Sequence, residues 1–148
     1  MPDLPAPLEE KLRALDLLED RAERIEALIS IADRFREVPP EIARRPFPED
    51  ARVPACESEA FVWSEDRPDG TLGLHFAVEN PQGVSAKALA ALLAQTLSGL
   101  PPGEVARVSP DVVYRIFGRE LSMGKSMGLT AMVDMVRRQA EQRAEPRG

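Results

Sequence analysis

The sequence predicts an α+β domain with helices packed on one face of a small antiparallel sheet. Apolar residues recur at helical spacing near the N-terminus and again after residue 84, and between these regions they alternate around a turn signal. With 148 residues, 43% of them hydrophobic, the chain can bury one sizeable core. We therefore expect one domain over residues 1–148, with an ordered core at about 8–140 and a polar C-terminal tail.

The N-terminal segment has helical periodicity from Leu8 to about Arg36. Asp20, followed three residues later by Glu23, is typical of a capping box, so the segment is predicted to form two helices that meet near Asp20. The Val-Pro-Pro sequence at 38–40 should end the second helix, because proline lacks the amide hydrogen and disfavours helix in the residue before it.

A proline-rich loop at residues 39–54 leads to Cys56 and then to a predicted β-hairpin. The first strand contains a β-favouring run, and Pro-Asp-Gly at 68–70 predicts the turn. In the second strand, apolar residues alternate with others, which predicts one apolar face. These strand residues are Phe61, Val62 and Trp63, then Leu72, Leu74 and Phe76.

The C-terminal half is predicted to be helical. Val84 to Ser98 is rich in Ala and Leu and indicates a buried helix, with Gly99 at its stop. A final helix can begin at Ser122, where glycines at 124 and 128 would allow close packing. Its apolar positions are Met127, Ala131, Val133, Met135 and Val136.

Composition excludes several classes of function. A net charge of −6 and a pI near 4.9 argue against a nucleic-acid partner, which requires concentrated Lys and Arg. No stretch approaches the roughly 20 apolar residues of a membrane span, and the N-terminus lacks the pattern of a signal peptide. We expect a cytoplasmic protein, in which a free thiol stays reduced.

Cys56 is the only cysteine, so it cannot form an internal disulfide or a multi-cysteine metal site. It is either a small buried hydrophobic residue or a chemically active thiol, as a nucleophile or sulfur carrier. Polar neighbours and the preceding Pro54 favour a thiol presented at the end of a loop.

Other chemistry has weaker support. A cysteine hydrolase needs a base, and the only histidine, His75, is more typical of a partly exposed strand residue. One Cys and one His do not make a metal site. The segment from Gly118 to Ser126 has five residues between its glycines where a P-loop requires four, so it indicates a helix start rather than a phosphate site.

The sequence Val-Pro-Ala-Cys-Glu-Ser-Glu at 53–59, followed by Phe61, resembles the SufE family's Val-Pro-Gly-Cys-Gln-Ser-Gln and its following aromatic residue. The resemblance extends over most of residues 8–140, and includes Leu-Ser at 121–122, Lys-Ser at 125–126 and Gly-Leu at 128–129. This chain departs from the family at Ala55, Glu57 and Glu59, and Lys125 stands where arginine is common. Alanine at position 55 is less permissive of positive φ than glycine.

The resemblance implies a SufE/IscU-like fold and a sulfur carrier that stimulates a cysteine desulfurase, more than a stand-alone enzyme. Cys56 would take persulfide sulfur from a SufS-type cysteine desulfurase and pass it to a SufB-containing scaffold complex for iron–sulfur cluster assembly. No cofactor of its own is implied, because the pyridoxal phosphate belongs to the desulfurase. Separately from the resemblance, a monomer is expected because the sequence has no obvious long apolar seam. Implied partner or loop contacts are Arg52, Val53, Glu57, Ser58, Glu59, Phe61 and Lys125.

One alternative from another class remains open. The protein could be a noncatalytic adaptor that docks a partner through an apolar loop around Val53 and Phe61, with Cys56 only filling space.

Overall fold

The computed structural model describes residues 3–118 and 121–144. Within these ranges the chain forms six α-helices, one short 3-10 helix at Glu49–Ala51 and a two-stranded antiparallel sheet, which confirms the α+β class. The elements are α1 (Ala6–Asp16), α2 (Arg21–Asp33), β1 (Ala60–Asp66), β2 (Leu72–Val78), α3 (Val84–Leu97), α4 (Pro102–Val105), α5 (Val112–Phe117) and α6 (Met123–Ala144).

The N-terminal segment divides into two helices near Asp20, as predicted. The Asp20 carboxylate accepts a hydrogen bond from the Ala22 amide at 3.0 Å and so caps α2. Helix α2 ends at Asp33, before the predicted end at Arg36, because its last turn tightens: the Phe35 amide bonds to the carbonyl three residues back.

The hairpin has the predicted apolar face. Val62 lies opposite Phe76 in the register, and both side chains are buried with Leu74 in the main hydrophobic core. This core lies between the sheet and helices α1, α2, α3 and α6. Helix α3 runs through its centre and is largely buried, as its Ala and Leu content predicted.

The opposite face of the sheet is also partly covered, which the alternation did not predict. The proline-rich loop places Phe47 against Phe61 and Trp63, with ring centroids 5.1 Å apart in each pair. The Arg45 guanidinium bonds to the carboxylates of Glu37 and Glu79 and lies 4.9 Å from the centre of the Phe47 ring. The loop preceding the cysteine is therefore anchored to the sheet.

Helix α6 packs along β1. The Gln139 amide donates to the Val62 carbonyl at 3.3 Å, and the Arg143 guanidinium reaches Asp66 at 3.0 Å. The helix continues to Ala144, past residue 140, where the polar tail was expected to begin; residues 145–148 lie outside the description. Among the described helices, none is both long and apolar enough to cross a membrane.

Candidate functional site

Cys56 lies in a short closed loop, residues 53–60, which we call the Cys56 loop. The Val53 amide donates to the Ala60 carbonyl at 2.8 Å and closes it, and the Glu59 amide donates to the Cys56 carbonyl at 3.2 Å in a tight turn. The carbonyl of Ser58 accepts from the amide of residue 80 at 3.1 Å. The backbone of the loop is therefore held on both sides, and Cys56 lies at its turn.

Two residues of this loop have positive φ. Ala55 has φ +59° and Glu59 has φ +52°, both in the left-handed region. This conformation costs an L-residue roughly 1–2 kcal/mol, and glycine avoids that cost. The SufE-like pattern has glycine at the position of Ala55, so this chain keeps the turn at the expense of backbone strain.

Three glycines on neighbouring elements lie close to the Cys56 loop. A Cβ atom on Gly128 would lie 2.9 Å from the Cys56 Cα, and one on Gly124 would lie 2.6 Å from a Glu57 carboxylate oxygen. On the other side, a Cβ on Gly83 would lie 2.9 Å from Ser58 Oγ. Helix α6 and the start of α3 therefore contact the loop directly, and the close packing expected of Gly124 and Gly128 has this loop as its partner.

The thiol opens onto a cleft of about 290 Å³ between the loop, the start of α3 and the first turns of α6. Cys56 is a free cysteine of intermediate exposure. Ser58, Ser85 and Lys125 supply polar side chains to the cleft. A half-buried thiol beside an open cleft can be reached by a small reactive group without unfolding the loop.

The only histidine, the expected base of a cysteine hydrolase, does not line this cleft. His75 lies on the outer face of β2, where its Nε2 is 2.9 Å from a Glu65 carboxylate oxygen, and it lines a different groove. It is a partly exposed strand residue, as its position in the sequence predicted. Over the described ranges, no group of three or more metal-ligating side chains comes together.

The sequence-predicted contact residues divide into two groups. Glu57 and Glu59 are exposed on the loop, Arg52 is exposed with its guanidinium 3.9 Å from Glu49, and Ser58 and Lys125 line the cleft. Val53 and Phe61 have exposed fractions of only 1% and 7%.

The expectation that Val53 and Phe61 form an apolar docking surface is therefore wrong for this conformation. Val53 belongs to the main core and Phe61 packs under the proline-rich loop. Their burial fixes both ends of the Cys56 loop. The Val53 amide pairs with the Ala60 carbonyl, and Phe61 is the second residue of β1.

Sequence reasoning missed the exposed apolar residues on the two helices that border the cleft. Met123 and Met127, on the first turns of α6, are 77% and 52% exposed, and Val84, at the start of α3, is 45% exposed. Helical spacing alone places Met127 among the apolar positions of the final helix. Met127 directly precedes Gly128, which packs on Cys56, and this adjacency is the signal that could have placed it on the turn of α6 nearest the Cys56 loop.

Comparison with known proteins identifies the family. Residues 9–140 match the family described as SufE, Fe-S metabolism associated domain. The chain belongs to the SufE family. Membership carries a role in Fe–S metabolism and, in general terms, a cysteine desulfurase as partner.

A solved structure has the same fold as this SufE-family chain. It is the solution structure of a hypothetical protein from Thermus thermophilus, which is 27% identical, with a TM-score of 0.75 over 95% of this chain and 97% of that chain. No match was found among curated proteins.

Proposed function

We propose that this SufE-family protein accepts persulfide sulfur from a cysteine desulfurase on Cys56, passes it to an iron–sulfur cluster assembly scaffold and thereby stimulates the desulfurase. The observation that carries the proposal is the placement of its only cysteine, at the turn of an anchored loop and open to a cleft. Family membership supports the general role in Fe–S metabolism.

The proposed step is a thiol exchange that balances without an external oxidant. The Cys56 thiolate attacks the outer sulfur of the persulfide on the desulfurase cysteine. A new sulfur–sulfur bond forms at Cys56, the bond between the two desulfurase sulfurs breaks, and its electron pair leaves on the desulfurase thiolate. One sulfur atom moves and the desulfurase cysteine returns to its reduced form, ready for the next turnover. Removing this sulfur is how the carrier would stimulate its partner.

The site needs only a few contributions from this chain. The exchange requires a thiolate, access and a good leaving group, and the leaving group belongs to the partner. The cleft gives access, and its volume of about 290 Å³ leaves room for one additional sulfur on Cys56. Lys125 lines the cleft and has no ion-pair partner among the described residues, so its charge is available to an anionic persulfide. A cytoplasmic location, which we propose with the function, would keep the thiol reduced between turnovers.

The exposed apolar rim suits a transient encounter with the desulfurase. Val84 lines the cleft, Met123 and Met127 are exposed on the turns of α6 that carry the cleft residues Gly124 and Gly128, and flexible methionine side chains adapt to a partner surface. We assign these residues to the contact with the persulfide-bearing segment of the partner, together with the exposed loop residues Glu57 and Glu59.

Intact-mass spectrometry tests the function. The protein is mixed with a SufS-type cysteine desulfurase and free cysteine, without reductant, and the expected product is heavier by one sulfur atom. Cys56→Ser is the matched variant: it should bind the desulfurase as the wild type does but remain unmodified. If the wild type binds without gaining sulfur, the adaptor function is favoured; if Cys56→Ser is modified equally, the sulfur lies elsewhere and the assignment fails.

A further inference from the structure

The Arg45 side chain bonds to two carboxylates from different parts of the chain. Its Nε donates to the two carboxylate oxygens of Glu79 at 3.0 and 3.2 Å, and its Nη1 donates to Glu37 at 3.1 Å. Its Nη2 donates to both carboxylates. We call this network of three side chains the Arg45 bridge. It connects the segment after α2, the proline-rich loop and the residue that follows β2.

The Arg45 bridge has more bonds than a simple surface ion pair. Its side chains are partly exposed, and a single exposed pair usually contributes little, because water and salt screen it. Here the planar guanidinium forms several bonds at once, and it also lies against the Phe47 ring. The bridge therefore holds Glu79 in one position relative to the proline-rich loop.

Glu79 also supports the Cys56 loop through its backbone. Its amide donates to the Glu59 carbonyl at 3.1 Å, and the next amide, that of Asn80, donates to the Ser58 carbonyl at 3.1 Å. Asn80 and Ser58 both line the cleft onto which the thiol opens. The second half of the loop is therefore held by the residue whose side chain the Arg45 bridge fixes.

The residue that the Glu79 amide holds has a strained backbone. Glu59 has φ +52°, in the left-handed region, and an L-residue keeps this conformation only where its surroundings impose it. The hydrogen bond from the Glu79 amide is one such constraint. If Glu79 moves, Glu59 can relax to a negative φ, and the turn that carries Cys56 changes its direction.

We propose that Arg45 is a positioning residue for sulfur transfer and acts through Glu79. The Arg45 bridge keeps Glu59 in its left-handed conformation and thereby keeps the Cys56 thiol at the cleft. This role rests on the proposed function of Cys56. Without the bridge the loop samples other conformations, in which a small reagent reaches the thiol more easily. A persulfide held by the partner then meets the thiol less often in the orientation that the exchange requires.

Glu37 provides a matched control within the same bridge. Its carboxylate bonds to Arg45, as the Glu79 carboxylate does, but it belongs to the segment after α2. The following residue, Val38, donates its amide to the Phe76 carbonyl at 2.8 Å and not to the Cys56 loop. Loss of the Glu37 carboxylate therefore removes an ion pair of the same kind without releasing the loop.

Kinetics of sulfur gain with a SufS-type cysteine desulfurase and free cysteine test the proposal. Initial rates are measured by intact mass over a range of concentrations of the full chain. Glu79→Gln and Arg45→Gln should each lower kcat by about fivefold, the effect of losing one exposed ion pair, with little change in KM. Glu37→Gln should match the wild type. Arg45→Lys should restore only part of the loss, because an ammonium group cannot form the forked bonds of a guanidinium.

Alkylation of the free protein by iodoacetamide separates this proposal from the proposed function, because no desulfurase is present. Cys56 should react about fivefold faster in Glu79→Gln and Arg45→Gln than in the wild type, and at the wild-type rate in Glu37→Gln. The proposal is overturned if Glu37→Gln and Glu79→Gln behave alike in both assays, since the bridge would then only stabilise the fold, or if Glu79→Gln changes neither rate. A wild type that gains no sulfur, while the alkylation rates differ as expected, would overturn the proposed function but support the placement of the thiol by Arg45.

Discussion

Replacing Gly128 with alanine should loosen the Cys56 loop. The new Cβ would lie 2.9 Å from the Cys56 Cα and 3.2 Å from the Ala55 carbonyl oxygen, and both are backbone atoms that cannot rotate away. Overpacking of this kind costs about 1–3 kcal/mol, whereas alanine gains about 1 kcal/mol over glycine inside a helix. The expected net loss is about 1 kcal/mol, or roughly 3 °C in Tm for a domain of this size.

In Gly128→Ala, the Cys56 loop should be displaced while helix α6 keeps its position. Helix α6 buries a long apolar stripe against the core, whereas residues 54–59 of the Cys56 loop include no buried side chain and are held mainly by a few backbone hydrogen bonds. Displacement of the loop would expose the thiol, so Gly128→Ala should be alkylated by iodoacetamide faster than the wild type, together with a small loss in the free energy of unfolding measured in urea.

Gly124→Ala is the matched control on the same face of the same helix. Its Cβ would meet the Glu57 carboxylate, which is the end of a flexible side chain and can move aside at little cost. This variant should be as stable as the wild type or more stable, with an unchanged alkylation rate. If Gly128→Ala behaves in the same way, the loop is not held by close approach to α6 and the reasoning is refuted.

Three further predictions concern the loop, an ion pair and the rim. Ala55→Gly should raise the free energy of unfolding by roughly 0.5–1 kcal/mol, because relief of left-handed strain exceeds the added entropy of the unfolded chain; a loss in urea unfolding would contradict this. A hydrogen bond from Arg115 lowers the pKa of Glu9 below its ordinary value of 4.5. The ionised Glu9 therefore stabilises the folded state fully above pH 4.5, and this stabilisation is lost as the pH falls through the folded-state pKa. Thermal melts of Glu9→Gln should therefore lie below the wild type at neutral pH and converge with it in acid, and a constant difference would exclude this ion pair as the cause. Met127→Lys should weaken desulfurase capture, measured by pull-down, without changing Tm, whereas Leu17→Lys, at a position 81% exposed at the end of α1, should not; equal effects of the two would remove the rim assignment.

The sequence predicted those parts of the fold that depend on local periodicity. The capped break at Asp20, the hairpin and the buried α3 all follow from spacing and turn residues within about 20 positions of one another. The covered outer face of the sheet could not be predicted in this way. It depends on Phe47, an aromatic residue in a segment without periodicity, whose partners Phe61 and Trp63 lie on the hairpin.

The candidate site was predicted only where it depends on a local sequence motif. A local motif located Cys56 and its exposed neighbours, and the comparison of alanine with glycine singled out position 55, where the backbone has a positive φ. The contact between Cys56 and Gly128 joins residues far apart in the chain, and no spacing rule encodes such a contact. Burial of Val53 likewise depends on how the loop closes, which the motif alone does not show.

Trp63 gives this protein a built-in optical probe of the segment that leads to the thiol. It is the only tryptophan in the chain, and its indole packs against Phe47 of the proline-rich loop. Its emission therefore reports whether that loop stays on the sheet, while far-ultraviolet circular dichroism reports the helices. An emission change without loss of helical signal, when a desulfurase is added, would show that docking at the Cys56 loop alters the packing around Trp63 on the opposite face of the hairpin.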